Sequence, residues 1–216
     1  MSERGGVIRT PPWAYGLYGN PVLRAVLGWD WRQRDIRWLR STPGCIVEIG
    51  SGGGFYTPYL AQRIAPGGIV VALDPCRSAV AALCARLGPQ VVGVVGNGHA
   101  LPIASGSIDE VFYGYSLEEF DDAQAGVREA ARVLRPGGQL VVFLWRPFFH
   151  GRHRRELLAF LEHDFVLERT SDGPQNLRRS YRRRECSAQN VRLETRSLTS
   201  AAPTSTADGR SNRFTG

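Results

Sequence analysis

The chain contains no lysine; all 27 of its Lys and Arg positions are arginine. A composition of that kind reads as a coding bias and carries no functional signal by itself. Cysteine is scarce, and Cys45, Cys76, Cys84 and Cys186 form no C-x-x-C pair. That spacing argues against a zinc site and against a disulfide framework, so no metal is expected. Cys45 and Cys84 are expected as small buried apolar residues. No apolar run approaches the roughly 20 residues that span a bilayer. The first residues, MSERGGVIRTPPW, lack an apolar signal-peptide core, and a cytoplasmic protein is expected.

What is present suits one domain with a tail: 216 residues, 43% of them hydrophobic. Charge is uneven. Residues 1–40 carry a net +4, residues 41–145 a net −3 and residues 146–216 a net +6, for a total of +7. The basic flanks could attract nucleic acid, anionic lipid or an acidic substrate. The run RRSYRRR is interrupted by only one aromatic, Tyr181, so a solvated arginine surface is the simpler reading.

Residues 1–40 read as an N-terminal arm and lid helices: Trp13, Tyr15 and Tyr18 lie among Pro and Gly, and a helical pattern follows between Pro21 and Arg40. After Thr42-Pro43-Gly44 the period alternates. Apolar runs at Cys45–Ile49, Ile69–Leu73, Val91–Val95, Ile108–Tyr113 and Gln139–Trp145 predict buried strands, with helical patterns at about 55–65, 77–88, 121–135 and 152–163. Buried strands alternating with helices imply a parallel sheet covered on both faces. Phe165–Arg169 and Leu177–Arg184, joined through Asp172-Gly173-Pro174, predict an antiparallel hairpin. The expected fold class is therefore α/β: a Rossmann-like doubly wound sheet, mostly parallel, with a C-terminal antiparallel hairpin. The domain is expected over residues 41–185. Residues 186–216, rich in Ser, Thr, Ala and Gly without periodicity, are expected as a disordered tail.

Chemistry is concentrated at EIGSGGGF, Glu48 to Phe55. A turn between a buried parallel strand and a helix lies at the carboxyl edge of the sheet, where ligands of open α/β folds bind. Glycine there allows close backbone approach and positive φ. Asp74 ends the next strand twenty residues after Gly54, where a carboxylate can accept both hydroxyls of a ribose. A nucleoside-type pocket follows. A dinucleotide fingerprint would place a third glycine at Phe55, so a nicotinamide-dependent oxidoreductase is disfavoured.

The pattern Glu48-x-Gly50-x-Gly52-x-Gly54 resembles motif I of the class I S-adenosylmethionine-dependent methyltransferases. VVALDP, GNGHALPIASGSIDEVF and REAARVLRPGGQLVVF resemble three further motifs of that superfamily, in order, over roughly residues 45–185. Within it the chain looks most like the small-molecule group that includes ubiquinone- and menaquinone-biosynthesis-type enzymes. The resemblance implies S-adenosylmethionine as cofactor. It would set Gly50, Ser51, Gly52 and Gly54 along the methionine part and Glu48 at the amino group. Asp74 would hold the ribose, with Pro75 and Cys76 at the adenine edge. Asn97 stands where the family usually has Asp at the adenine amino group; its side-chain oxygen can still accept that N–H. Gly98 and His99 would complete the adenine side, and Tyr115 and Ser116 would face the methyl group and acceptor. Asp109 and Pro136-Gly137-Gly138 match the family for structural reasons.

A sulfonium methyl is already a strong electrophile, so orientation and exclusion of water are the protein's main tasks. A base is needed only for a protonated nucleophile. His99, Tyr115, Glu118, Glu119, Tyr15 and Tyr18 are nearby candidates, and none is singled out as catalytic. The tetrapeptide of amino-methylating nucleic-acid enzymes is absent after the fourth strand, where YGYSLEEF stands, and so is the cysteine a cytosine-C5 enzyme would need. A small-molecule or lipid-like acceptor is therefore expected rather than nucleic acid. His150 and His153 sit among Arg152, Arg154 and Arg155, which would repel a cation. The alternative reading is a catalytically silent binding or partner module of the same fold.

Overall fold

The computed structural model describes residues 35–40, 43–145, 151–174 and 176–185. The readings of the aromatic arm before residue 35 and of the tail after Glu185 lie outside the described residues. The compact unit holding every described element closes at Arg184; a second unit starts at Glu185.

Seven strands form one sheet in the order β3-β2-β1-β4-β5-β7-β6. They are β1 (Cys45–Ile49), β2 (Ile69–Asp74), β3 (Val91–Val95), β4 (Ile108–Gly114), β5 (Leu134–Trp145), β6 (Phe165–Asp172) and β7 (Asn176–Arg183). The first five pair in parallel. β1, β2, β4 and β5 are buried almost throughout, which is why they read as unbroken apolar runs instead of alternating ones. β7 pairs antiparallel with both β5 and β6, so the hairpin lays its second strand, not its first, against the parallel sheet.

Among the described residues four helices accompany the sheet: α1 (Thr57–Ala61), α2 (Arg77–Cys84), α3 (Ala123–Val133) and α4 (Gly151–Asp164). The 121–135 pattern thus resolves into a helix capped by Asp122, whose carboxylate accepts from the Ala125 N–H at 2.8 Å. Helix α1 is much shorter than the 55–65 pattern. Arg63, just beyond it, turns its guanidinium to the carbonyls of Leu39 and Arg40 at 3.3 and 3.0 Å. Cys84 is exposed at the end of α2 and Cys45 is half-buried, so neither is the fully buried apolar residue expected. Arg135–Gly138 form a bulge: Ile108 pairs with Leu134, and the next pair is Glu110 with Gln139.

Two cores sandwich the sheet. One contains Val47, Leu73, Val111, Leu140, Val127 of α3 and Leu157 and Leu161 of α4. The other gathers Ile46, Phe112, Val141 and Phe143 under Tyr56, Leu60 and the 3-10 turn Ile36–Trp38. Among the described residues no helix is long and apolar enough to cross a membrane.

Candidate functional site

Strand order reverses between β1 and β4, the position at which open α/β sheets leave a crevice beyond their carboxyl ends. The two strand ends touch there. Ser116 Oγ donates to the Ile49 carbonyl at 2.6 Å, and a Cβ on Gly50 would lie 2.4 Å from Ser116 Cβ. Only glycine fits, and Gly50 also holds φ at +76°.

The loop continues with Gly52 at φ +50° and Gly54 at φ +82°. The amides of Gly50 and Ser51 both donate to the Leu73 carbonyl at 2.8 and 3.0 Å, which ties the loop to the end of β2. Asp74 stands beside it, 4% exposed. One of its oxygens accepts from the Gly52 N–H at 2.7 Å and the other from the Cys76 N–H at 2.8 Å. Each carboxylate oxygen has a further acceptor site, so the group is held in place without being used up. Pro75 is exposed next to it and Cys76 half-buried.

Glu48, 2% exposed, lies close enough to feel the Asp74 charge. It accepts the Thr57 hydroxyl at 2.5 Å and a backbone bond from Tyr56. The helix thus begins two residues later than the sequence suggests, with the chain's own carboxyl against its first turn. Burial raises the Glu48 pKa from 4.5 to about 8; the Thr57 bond opposes the rise and the nearby Asp74 charge adds to it.

On the far side Asn97 is exposed and its side-chain oxygen accepts from the His99 N–H at 2.9 Å, closing a tight turn. Gly98 is buried; a Cβ there would lie 2.4 Å from the Phe120 ring and 2.8 Å from Ile49. The His99 ring meets Phe120 edge-on at 4.8 Å, and its Nε2 is buried without a hydrogen-bond partner. Ser51 Oγ is likewise buried and unpartnered. Unpartnered buried polar atoms beside a left-handed glycine loop and an acid with spare acceptor capacity fit a nucleoside carrying a polar amino-acid end.

Tyr115 follows β4 at φ +61°, a strained conformation for a bulky residue. It is fixed from several directions. Its N–H donates to the Phe143 carbonyl at 3.0 Å, and its ring packs with Tyr56, Phe143 and Trp145 at centroid distances of 6.4, 5.9 and 6.1 Å. Its hydroxyl accepts from Arg178 Nη2 at 3.3 Å. Arg178 pairs with Asp35 at 3.2 Å, and Asp35 accepts the Tyr56 hydroxyl at 2.9 Å. Neither Asp35, Arg178 nor Tyr56 stands out in the sequence, since none belongs to a motif. An acid directly before the mainly apolar segment Ile36–Leu39 was the available signal. Glu118 accepts from the Trp145 N–H at 2.8 Å with one carboxyl oxygen; the other is buried and unpartnered. Burial lifts its pKa to about 8.

A family model described as a methyltransferase domain matches residues 47–142. A demethylmenaquinone methyltransferase of Beutenbergia cavernae is 30% identical over 175 residues, covering 73% of this chain and 71% of that protein. The chain belongs to the class I S-adenosylmethionine-dependent methyltransferases. A demethylmenaquinone methyltransferase of Corynebacterium efficiens is 38% identical over 124 residues, 57% of this chain and 51% of that protein. The chain therefore spans about half the length of such corynebacterial relatives. Among solved structures, a SAM-dependent methyltransferase from Aquifex aeolicus superposes with a TM-score of 0.68 at 18% identity, covering 81% of this chain and 99% of that one. The TehB-like SAM-dependent methyltransferase from Corynebacterium glutamicum gives 0.64 at 17%, covering 81% and 100%. These structures share the methyltransferase fold, and the family's cofactor is S-adenosylmethionine. No group of three or more His, Cys, Asp or Glu residues suited to a metal occurs among the described residues.

Proposed function

We propose that the chain transfers a methyl group from S-adenosylmethionine to a small-molecule or lipid-like acceptor, of the demethylmenaquinone type that its relatives' names carry. The observation that carries this reading is the conjunction of the Gly50–Gly54 loop with Asp74 at the β1/β4 switch point. Backbone at Gly50, Ser51, Gly52 and Gly54 would flank the methionine part, with Ser51 Oγ finding there the partner it lacks. Glu48 would face the amino group, and Asp74 would take the ribose hydroxyls on its two spare acceptor sites. Pro75, Cys76, Asn97, Gly98 and His99 would border the adenine.

When bound, the sulfonium supplies an electrophilic methyl group. The protein's part is alignment, for which orientation can contribute about 7–11 kcal/mol. Tyr115, held by Arg178 and by three neighbouring rings, is a rigid wall on the acceptor side. Glu118, its pKa lifted to about 8, is protonated at neutral pH and would take a proton from an acidic acceptor only above that pH. Residues 1–40 would serve as arm and lid, 41–185 as the cofactor-binding domain and 186–216 as a tail, in a cytoplasmic protein.

Calorimetric titration with S-adenosylhomocysteine tests the reading. Binding by the native chain, weakened roughly a hundredfold in Asp74→Ala, is expected from loss of charge-assisted bonds. No binding, or equal binding by both chains, would refute it. A silent binding module remains the second reading because Asn97 replaces the usual acid. It predicts cofactor binding without methylation of a demethylmenaquinol acceptor.

A further inference from the structure

A cavity of about 480 Å3 opens between the hairpin strands β6 and β7 and the Asp35–Trp38 segment. No residue of the glycine loop lines it, and Asp74 does not either. Three arginines do, Arg37, Arg169 and Arg178, against a single acid, Asp35. Asp35 is already committed to Arg178 and to the Tyr56 hydroxyl. Arg37 and Arg169 have no acidic partner among the described residues.

Arg169 is nevertheless held. Its guanidinium lies over the Trp38 ring, 4.0 Å from the centroid, and one N–H leans on the Arg37 carbonyl at 3.4 Å. Stacking on an aromatic face fixes a guanidinium without neutralising it. Thr170 and Ser171 add hydroxyl groups to the same lining. Ser171 stands directly opposite Arg178 in the β6–β7 ladder, so the strand register itself converges these donors.

We propose that this cavity is a phosphoryl-binding subsite. Two unbalanced guanidinium charges match a phosphate dianion, whereas a carboxylate would balance one. Guanidinium forks also bind the oxygens of phosphate in pairs. The volume is that of a small-molecule site, well beyond what a bare phosphate fills. The ligand is therefore a phosphomonoester, either of a soluble organic molecule or as the head group of a lipid such as phosphatidic acid. Arg178 joins the subsite to the acceptor side, because it lines the cavity and donates to the Tyr115 hydroxyl. The subsite stands whether or not the chain transfers methyl groups.

The test is calorimetric titration of the full chain with inorganic pyrophosphate at constant ionic strength, so that diffuse attraction to surface arginines stays fixed. Saturable binding is expected, weakened roughly tenfold in Arg37→Gln/Arg169→Gln and by a smaller factor in Arg37→Gln alone. The single variant guards against a fold effect, since Arg37 is exposed. Affinity for S-adenosylhomocysteine should be unchanged in both. No saturable binding, or binding that both variants retain in full, overturns the proposal. Loss of S-adenosylhomocysteine binding with pyrophosphate binding intact would strike the methyltransferase reading and leave the subsite standing. Sedimentation with phosphatidylcholine vesicles, with and without phosphatidic acid, identifies the source. Retention on the anionic vesicles that the double variant abolishes assigns a lipid head group. Pyrophosphate binding without such retention assigns a soluble phosphorylated molecule.

Discussion

Gly50 is the residue at which geometry leaves least freedom. A methyl group there meets Ser116 Cβ at 2.4 Å, and the backbone must hold φ +76°. Gly50→Ala should cost about 2–4 kcal/mol, from left-handed strain and overpacking together, measured as a fall in the urea midpoint. Gly53, with nothing within 4 Å of its would-be Cβ, should tolerate alanine with little loss and serves as the control. Glu48 makes a second prediction. With its pKa at about 8 it is protonated in the free chain at neutral pH. A cationic amino group beside it would favour the carboxylate. Affinity for S-adenosylhomocysteine should then rise about tenfold per pH unit up to about pH 8 and level off above. Measuring Glu48→Gln over the same range cancels the ligand's own titration. If the two profiles coincide, Glu48 does not face the amino group. The motif made Glu48, Gly50 and Asp74 visible in the sequence; their mutual bonding was not. That Asp74 would bind the Gly52 and Cys76 amides depends on how β2 ends against the loop, which no spacing encodes.

Among the elements, the hairpin matters most for the site's rigidity. β7 enters the sheet beside β5 and brings Arg178 opposite Phe143, within reach of Asp35. Both partners are largely buried, at 18% and 3% side-chain exposure. Removing one leaves an uncompensated charge. Asp35→Asn or Arg178→Met alone should therefore destabilise by about 3–5 kcal/mol, and the double variant by clearly less than the sum. Additive losses in chemical unfolding would mean that the two charges do not interact. The hairpin was legible from its turn and its two apolar–basic strands. Its placement was not, because the choice of β7 over β6 as β5's neighbour is made by burial of Leu177, Ser180 and Tyr181 against the sheet. Strands β1, β2 and β4 were read to within one residue because burial on both faces leaves a continuous apolar signal, and the edge strand β3 was read from its run of valines although none of its residues is fully buried. Helix α1 was overextended for the opposite reason: its amphipathic pattern continues past Ala61, but Arg63 is drawn to the carbonyls of Leu39 and Arg40.

At the scale of the whole molecule, three buried carboxyls set how stability responds to pH. Glu48 and Glu118 are raised from 4.5 to about 8, and Glu110 to about 7, in each case chiefly by burial. The Arg40 N–H bond at 2.8 Å lowers Glu110 without cancelling the effect. Between pH 4.5 and these raised values the folded chain keeps protons that the unfolded chain has released. Stability from these groups is thus fully present at or below about pH 4.5 and is lost as pH climbs through 7 and 8. For Glu110 alone, fully buried, the loss is about 3 kcal/mol at the alkaline end. Glu129 has the opposite sign, its pKa lowered by Arg132, but that pair lies near the surface and contributes little. Urea midpoints of the free chain should therefore fall from pH 5 to pH 8.5. Glu110→Gln should flatten part of that slope without altering cofactor affinity, since the residue pairs with Arg40 and belongs to no part of the loop. Glu48→Gln should flatten another part while changing affinity. If the native chain proved as stable at pH 8.5 as at pH 5, these carboxyls would have to be ionised inside the fold. The cofactor would then meet a Glu48 that is already charged, and the pH dependence of binding argued at the residue scale would vanish with it.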